Sequence, residues 1–241
     1  MMTSYRKDDP HSIRTMFNSI ARQYDRTNAI LSLNMHKRWN RALINKVVVP
    51  SKPAVLLDLC CGTGAIAFDY LKKIHHPIKV YMLDFSEKML ECAQAQAKIR
   101  NIHRHDINYL QADAQAIPLL ENSIDCAVMA YGIRNVPNPA ICLEEVYRVL
   151  RPHGTFGILE LTQPSNSIIR FGHSLYLRTI LPLIGKLATS NPDAYRYLCT
   201  SINTFIPPSA LVSLMQSASF TNVRQHSLLG GIATIIIGTK G

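Results

Sequence analysis

Short apolar runs alternate with amphipathic stretches through the middle of the chain. The runs are apolar on both faces, as buried parallel strands are, and the stretches between them repeat their apolar residues at helical spacing. This alternation predicts an α/β doubly wound sheet with helices on both faces. The predicted strands cover 55–59, 79–83, 107–111, 124–130 and 154–161, and the predicted helices between them cover 65–73, 87–99 and 139–150.

The end of the chain follows a different pattern. A predicted strand near 222–228 is followed almost at once by another at 232–239, with Gly230 and Gly231 between them. Parallel strands need a longer crossover, so this spacing predicts an antiparallel hairpin. A mostly parallel, Rossmann-like, seven-stranded sheet that closes with such a hairpin is the methyltransferase variant of the fold rather than the dehydrogenase variant.

Helices are predicted before the sheet begins. Asp9 and Pro10 are a helix cap and a first helical residue, and apolar residues continue from there at helical spacing to Tyr24. A second helix is predicted over about 35–47. Prolines at 50 and 53 mark the entry to the core, so we predict a helical N-terminal lid over 1–52 and a methyltransferase domain over 53–241.

A helical cap is predicted as an insertion over about 163–208. The segment is mostly apolar, but Arg170, Arg178 and Lys186 interrupt it, and Pro182 breaks its helical pattern. It is too charged to span a bilayer. It is therefore either ordinary core of a cap over the active site or a surface that lies against a membrane.

A glycine loop joins the first predicted strand to its helix. Gly62 and Gly64 lack a Cβ and let the backbone approach a ligand closely, and the helix that follows favours anionic groups at its N-terminus. Asp84 ends the next strand, where its carboxylate can accept hydrogen bonds from both ribose hydroxyls. These positions predict a nucleoside cofactor.

Three features favour S-adenosylmethionine over a dinucleotide, although the loop also fits the G-x-G-x-x-A dinucleotide pattern. Asp58 precedes Gly62 in the strand, where a carboxylate suits a methionine ammonium group and not a pyrophosphate. Asp113, followed by Ala114, can accept from an adenine amino group. The C-terminal hairpin is the third feature. Asp58 as a loop cap and Asp113 as a helix cap stay open as alternatives.

Composition and charge narrow the partners. The chain has 241 residues, enough for one large domain with its own core, and a net charge of +10. Residues 1–52 hold much of that charge, which suits an anionic membrane surface, an anionic substrate or simply a solvated face; the absence of interleaved aromatic residues argues against nucleic acid. The six cysteines lack metal-ligand or disulfide spacing. With a polar N-terminus and no long apolar run, we expect a cytoplasmic protein without a metal.

The chain resembles the ubiquinone/menaquinone biosynthesis C-methyltransferase family, UbiE/MenG, almost from end to end. The most specific elements are Gly-x-Arg-Asn at 132–135 and Tyr-x-Tyr-Leu at 195–198. Further matching segments are 17–21, 36–39, 58–64, 84–90, 113–118, 148–152 and 230–231. The resemblance implies S-adenosylmethionine-dependent C-methylation of a membrane-dissolved polyprenyl quinol, with cofactor contacts at Thr63, Asp84, Asp113 and Ala114.

The sequence departs from the family pattern at several positions. Ala130 stands where the family often has a hydroxyl, and Ala65 stands where it usually has an acid. His153 interrupts a Pro-Gly-Gly turn, and residues 232–236 lack a histidine usually found near the end. These departures concern individual contacts and not the class of reaction.

Candidate catalytic residues follow the fourth strand and come from both helical segments. Arg134 can hold a phenolate oxygen, unless it forms a structural salt bridge, and Asn135 can fix a neighbouring hydroxyl or water. Tyr24, Asp25 and His36 are candidates from the lid, with His36 titrating nearest neutrality unless it is a surface or capping residue. Tyr197 and Ser201 share a helix face and line the ring pocket or pack in the core.

The sequence therefore predicts a quinol C-methyltransferase in menaquinone biosynthesis that makes peripheral contact with the membrane. The alternatives are a benzoquinol enzyme of the ubiquinone pathway, a methyltransferase of another phenolic or sterol-like acceptor, a NAD-binding oxidoreductase and a non-catalytic scaffold. A homo-oligomer or a quinone-biosynthesis complex is a further expectation.

Overall fold

A seven-stranded mixed sheet forms the centre of the protein. The computed structural model describes residues 5–6, 9–47, 55–180 and 191–241. In these residues the strand order is β3-β2-β1-β4-β5-β7-β6, with β7 antiparallel to both of its neighbours and the other pairs parallel. The predicted doubly wound sheet and its closing hairpin are confirmed. The strands are β1 Val55–Leu59, β2 Lys79–Asp84, β3 Asp106–Gln111, β4 Ile124–Ala130, β5 Leu150–Leu161, β6 Phe220–Leu228 and β7 Ala233–Lys240.

Helices cover both faces of this sheet. One buried cluster packs α3, α4 and α5 against it, and a second packs α6 and α9 against the opposite face. The described helices are α1 Pro10–Ile20, α2 Tyr24–Leu31, α3 Met35–Val47, α4 Ala65–Leu71, α5 Glu87–Ile99, α6 Pro139–Val149, α7 Ser167–Leu175, α8 Pro192–Thr204 and α9 Pro208–Ser217.

The α3 helix packs directly on the sheet. Leu43, Ile44 and Val47 are fully or almost fully buried on its inner face. A Cβ added at Gly157 in β5 would lie 2.6 Å from Val47 Cγ1, so the glycine permits this close approach. The α1 and α2 helices lie instead at the edge of the sheet that holds the strand ends. The division into lid, methyltransferase domain and cap stays a prediction, and its boundary at 52/53 lies outside the described residues.

Several predicted elements have different bounds in the structure, most of them by one or two residues. The first helix does not run on to Tyr24, because a 3₁₀ turn at Ala21–Gln23 separates α1 from α2. The α4 helix ends at Leu71 and not at 73. The β5 strand begins at Leu150 and not at 154, because Leu150 pairs with Ile124 across a bulge. Hydrogen-bonding partners in a neighbouring strand override the local turn signal there.

The described part of the cap joins the N-terminal helices. The Tyr176 hydroxyl donates to the Leu31 carbonyl oxygen at 2.6 Å, and a small buried cluster contains Leu31, Leu177 and Tyr195. The predicted features at Pro182 and Lys186 lie outside the described residues. No single described helix has the length and apolarity to cross a bilayer, and α8 with α9 reaches them only as a pair bent by 73°.

Candidate active site

Carboxylates cluster at the carboxyl ends of the parallel strands. The strand order reverses between β1 and β4, which is where open α/β sheets bind ligands. Asp58 lies in β1, Asp84 ends β2 and Asp113 follows β3. A cleft along this edge is lined by Gly62, Asp84, Asp113 and Ala114 at one end and by Asp58, Gly62 and Thr63 at the other. We call it the cofactor cleft.

Both glycines of the loop have left-handed backbone angles, with φ of +55° at Gly62 and +86° at Gly64. The prediction was that both glycines leave room for a ligand, but at position 64 the structure gives a different reason for a glycine. A Cβ there would lie 2.5 Å from Met82 Cε and from Phe68 Cε2. A side chain at position 64 would therefore collide with core side chains and not with a ligand. At Gly62 the nearest atom to an added Cβ is 3.9 Å away, on Tyr24.

Asp58 caps the helix after the loop and also keeps one acceptor without a donor. Its Oδ2 accepts from the Ala67 N–H at 2.9 Å in the first turn of α4, and not from the loop as the capping alternative states. Its Oδ1 is buried, and no described residue donates to it. Burial raises the pKa of Asp58 to about 7. A buried carboxylate oxygen without a donor fits the ammonium group of S-adenosylmethionine.

Asp84 and Asp113 are positioned by backbone donors. Asp84 Oδ2 accepts from the Gly62 N–H and Oδ1 from the Ser86 N–H, both at 2.8 Å, and each oxygen retains a lone pair for a ribose hydroxyl. Burial raises the pKa of Asp84 to about 6. Asp113 accepts from the Gln115 N–H at 2.9 Å and closes a turn. No helix begins after Asp113, so the helix-cap alternative is wrong.

Thr63 and Asp25 connect the loop to the N-terminal helices. The Thr63 hydroxyl donates to Asp25 Oδ1 at 2.7 Å. Thr63 is buried, while Asp25 is exposed at the outer end of the cofactor cleft. Asp25 therefore ties α2 to the glycine loop and lies away from the second cavity described next. The roles of both residues stay predictions.

A second cavity, of about 510 Å³, adjoins the cofactor cleft. Tyr24 and Tyr131 line both, so the two spaces meet between these residues. The cavity, which we call the acceptor cavity, has a largely apolar lining to which α2, α3, α7 and α8 contribute. Its apolar members include Leu31, Trp39, Leu161, Leu177, Leu198 and Ile232.

Arg134 lies in the lining of the acceptor cavity and forms the salt bridge given as its alternative. Its Nη1 is 2.6 Å from Glu160 Oε1, and the two side chains are 6% and 1% exposed. Nη1 also donates to the Tyr131 carbonyl oxygen at 2.7 Å. Nε is buried, and no described residue accepts from it. Burial lowers the pKa of Arg134, but Glu160 together with Tyr24 and Tyr197 more than offsets this, so the guanidinium stays charged.

Asn135 and Tyr197 bond to each other. The Tyr197 hydroxyl donates to Asn135 Oδ1 at 3.0 Å, and Asn135 Nδ2 donates to the Tyr131 carbonyl oxygen at 3.2 Å. This contact joins α8 of the cap to the end of β4. Ser201 is buried and donates to the Leu198 carbonyl oxygen in its own helix, which fits the core-packing alternative.

His36 lines both the cofactor cleft and the acceptor cavity, and its tautomer follows from its contacts. Ser32 Oγ lies 2.6 Å from the Asn28 carbonyl oxygen, which cannot donate, so the hydroxyl proton lies between them. Ser32 Oγ is also 2.6 Å from His36 Nδ1, which must then carry the other proton. Nε2 is left as an acceptor. Burial lowers the pKa of His36 and favours this neutral form.

Three residues at the site were absent from the predicted set. Tyr131 follows β4 directly and Glu160 lies near the end of β5. Asp84 was selected because it ends a parallel strand, and the same criterion could have selected these two residues. Tyr131 also has a φ of +59°, which is unusual for a bulky residue and common at functional sites. His173 lines the acceptor cavity from α7, and no sequence signal points to it.

This strand order, with a carboxylate at the end of each of the first three strands and a buried acceptor for an ammonium group, defines an S-adenosylmethionine-dependent methyltransferase. Solved structures agree on the fold. The chain is similar to a SAM-dependent methyltransferase from Thermotoga maritima, with a TM-score of 0.65 and 18% identity over 94% of this chain and 99% of that one. A SAM-dependent methyltransferase from Aquifex aeolicus gives a TM-score of 0.58 at 16% identity, covering 84% and 89%.

The chain belongs to the ubiE/COQ5 methyltransferase family, whose profile matches residues 3–240. It is 52% identical over 239 residues to the demethylmenaquinone methyltransferase of Protochlamydia amoebophila, covering 99% of each chain. It is 40% identical to the demethylmenaquinone methyltransferase of Chlamydia pneumoniae, covering 92% of this chain and 93% of that one. The family resemblance and the cofactor expected from the sequence are thereby confirmed.

Proposed function

We propose that the protein transfers a methyl group from S-adenosylmethionine to a ring carbon of demethylmenaquinol, forming menaquinol. One observation carries this proposal: a large apolar cavity meets the cofactor cleft between Tyr24 and Tyr131. A cavity of this size and lining suits a quinol ring with the first part of a prenyl tail. The names of the family relatives give the same reaction.

The cofactor is held by residues along the strand ends. Asp58 Oδ1 would take the ammonium group, Asp84 would take the ribose hydroxyls, and Asp113 with Ala114 would contact the adenine. When bound, S-adenosylmethionine supplies an electrophilic methyl group on a positively charged sulfur. The chain itself must then orient the ring, favour its phenolate form and accept a proton from the methylated ring carbon. Positioning alone can contribute roughly 7–11 kcal/mol in well-aligned reactions.

Arg134 favours the phenolate. Glu160 and the Tyr131 carbonyl oxygen hold Nη1, so the orientation of the guanidinium is fixed before substrate binds. Nε and Nη2 are the donors left for an anionic oxygen, and a preorganised charged donor stabilises charge more than a mobile one. Asn135, which accepts from Tyr197 and lines the cofactor cleft, would bond the same or a neighbouring oxygen.

His36 takes the ring proton. The new carbon–carbon bond leaves a hydrogen on the methylated ring carbon, and loss of that proton restores the aromatic ring. His36 lines both spaces that meet at the reacting atoms, and its Nε2 lone pair is free to accept the proton. His173 lines only the acceptor cavity, which makes it a matched comparison.

The experiment uses purified protein, methyl-labelled S-adenosylmethionine and reduced demethylmenaquinol in detergent, with a demethylated ubiquinol precursor in parallel. We expect ring-carbon label predominantly in menaquinol. Label predominantly in the benzoquinol product would assign the protein to the ubiquinone pathway instead. Absence of label in both, with cofactor binding intact, would contradict the proposal and favour another acceptor or a scaffold role.

We further propose that the protein works in the cytoplasm. All six cysteines are free in the structure, including the neighbours Cys60 and Cys61, and free thiols are typical of a reducing compartment. Fractionation of cells under low and high salt tests this placement. Recovery only in an oxidising compartment would contradict it.

A further inference from the structure

Two leucines project from turns where both their backbone and their exposure are unfavourable. Leu33 follows α2 with a φ of +48° and is 80% exposed, and Leu229 follows β6 with a φ of +45° and is 55% exposed. Leucine rarely adopts the left-handed region, which Asn or Gly would occupy at lower cost. Both leucines line the acceptor cavity from its exposed side. Strain and exposure at the same cavity point to a contact outside the chain.

An apolar helix face continues this rim. Ile168, Phe171 and Leu175 follow one another at helical spacing on α7 and are 81%, 73% and 52% exposed. Ile169, on the neighbouring side of the same helix, lines the acceptor cavity. Six of the ten large apolar side chains that are exposed in the described part of the chain belong to this surface. The rim face, as we call it, consists of Leu33, Ile168, Ile169, Phe171, Leu175 and Leu229.

Contacts hold the three parts of the rim face together. A Cβ at Gly230 would lie 2.6 Å from Ile169 Cδ1, which places the β6–β7 turn against α7. The Tyr176 hydroxyl binds the Leu31 carbonyl oxygen, which places the segment after α7 beside the turn that holds Leu33. The exposed leucines and the α7 face therefore surround one opening, and that opening leads to the acceptor cavity.

The charged residues in the three segments that supply the rim face are all basic. No Asp or Glu occurs in residues 26–57, 161–192 or 194–241, the three segments that supply the rim face. Exposed basic residues in the described parts of the first two of these segments are Arg26, Lys37, Arg38, Arg41, Lys46, Arg170 and Arg178. An apolar surface with basic neighbours and no carboxylates is complementary to a bilayer that contains anionic lipids. A protein partner of ordinary composition would tolerate carboxylates on this surface, so it does not account for their absence from all three segments.

We propose that the rim face inserts into the surface of an anionic bilayer, so that the acceptor cavity opens directly into the lipid. The inference rests on the proposed function, because insertion would let a quinol with a prenyl tail enter the cavity from the bilayer without crossing water. Leu33, Leu229 and Phe171 enter the headgroup region, while the basic residues contact lipid phosphates.

The test is co-sedimentation of the full chain with vesicles of phosphatidylcholine alone or with phosphatidylglycerol added. One variant, Leu33→Asn with Leu229→Asn, removes two apolar tips and puts in a residue that tolerates the left-handed region. A second, Ile168→Gln with Phe171→Gln, changes only the α7 face. The matched control, Ile99→Gln with Leu120→Gln, removes two equally exposed apolar side chains elsewhere; these are 76% and 81% exposed.

We expect the chain to bind vesicles containing phosphatidylglycerol, and both rim variants to lower the partition coefficient at least about tenfold. The control variant stays within about twofold of the unchanged chain, and added salt weakens binding. If the leucine variant does not fold, as judged by circular dichroism, the α7 variant carries the test.

Unchanged partition in a folded rim variant overturns the proposal, as does equal binding to vesicles without anionic lipid. Loss of self-association in the rim variants, with no vesicle binding by the unchanged chain, would assign the face to a second copy. Vesicle binding needs no methyl transfer. Binding with no labelled quinol would therefore refute the proposed function alone, and labelled quinol without binding would refute this inference alone.

Discussion

Arg134 and Glu160 form an ion pair that is almost completely enclosed, with 2.6 Å between Nη1 and Oε1. Arg134 lies in the 3₁₀ turn after β4 and Glu160 lies near the end of β5, so the pair fixes that turn relative to the end of β5. Glu160 also accepts from the backbone N–H groups of Arg134 and Leu161, which satisfies both of its oxygens. The guanidinium is thus held rigidly through Nη1, while Nε has no partner among the described residues.

Removal of the Glu160 charge should destabilise the fold and reduce turnover. Glu160→Gln leaves a buried cation without its counter-ion, which costs about 3–5 kcal/mol in comparable pairs. Chemical denaturation measures the loss. Arg151→Met, which breaks the partly exposed pair with Asp125, should cost less than about 1 kcal/mol.

Stability and turnover should separate in a double variant. Arg134→Met with Glu160→Leu removes both charges, and a buried apolar pair is often as stable as the ion pair it replaces. We expect recovery of most of the unfolding free energy without recovery of methyl transfer. Recovery of both would show that Arg134 has a structural role only.

Asp58 should make the cofactor-free protein less stable as the pH rises. Burial raises its pKa from near 3.8 to about 7, so the folded chain holds this proton more tightly than the unfolded chain does. The contribution of Asp58 to the free energy of unfolding therefore falls as the pH rises from about 4 to about 7, by at most about 1.4 kcal/mol per pH unit. Asp58→Asn should be as stable as the unchanged chain at low pH and more stable at pH 8.

The same substitution should weaken cofactor binding. An amide gives no charge to balance the ammonium group, so calorimetry should show a higher Kd for Asp58→Asn at pH 8. For the unchanged chain, binding favours ionised Asp58, and the Kd should fall as the pH rises from 5.5 toward 7. A Kd that does not change with pH would argue against contact between Asp58 and the ammonium group.

The two loop glycines should respond differently to alanine. Gly64→Ala combines a φ of +86° with contacts of 2.5 Å to core atoms, so we expect a loss of roughly 3 kcal/mol or more. Gly62→Ala meets only Tyr24 Cε1, at an ordinary contact distance of 3.9 Å, and incurs backbone strain of about 1–2 kcal/mol. Thermal denaturation of both proteins without cofactor checks this order, and equal losses would contradict it.

His36→Gln should lower turnover about 10²–10⁴-fold with little change in cofactor affinity, because general bases contribute on that scale. In the unchanged chain the rate should fall as the pH drops below the pKa of His36, which burial lowers from 6.5. This fall should be absent in the variant. His173→Gln is the matched control, and a larger loss there would make His173 the base.

Ser32→Ala tests how His36 is positioned. Without the hydroxyl, nothing holds the proton on Nδ1, and both tautomers become accessible. We expect a smaller loss of turnover than for His36→Gln, together with a shift in the pH profile. An unchanged profile would show that Ser32 does not set the tautomer.

Local pattern predicted most of the sheet because buried parallel strands must be apolar on both faces. It also predicted that the carboxylates of Asp58, Asp84 and Asp113 lie near one another. The carboxyl ends of parallel strands share one edge of the sheet, however the helices pack. It did not predict the break at Ala21–Gln23 or the early start of β5 at Leu150. Both depend on neighbours distant in sequence, which a local pattern does not contain.

The sequence by itself determined the class of fold, the cofactor, the family and the edge of the sheet where chemistry occurs, because motif and periodicity are local properties. Only the tertiary structure decided that Arg134 pairs with Glu160, that core atoms exclude a side chain at position 64, and that Leu33 and Leu229 line the same cavity. Arg134 and Glu160 are 26 positions apart and Leu33 and Leu229 are 196 positions apart, and packing alone brings such residues together.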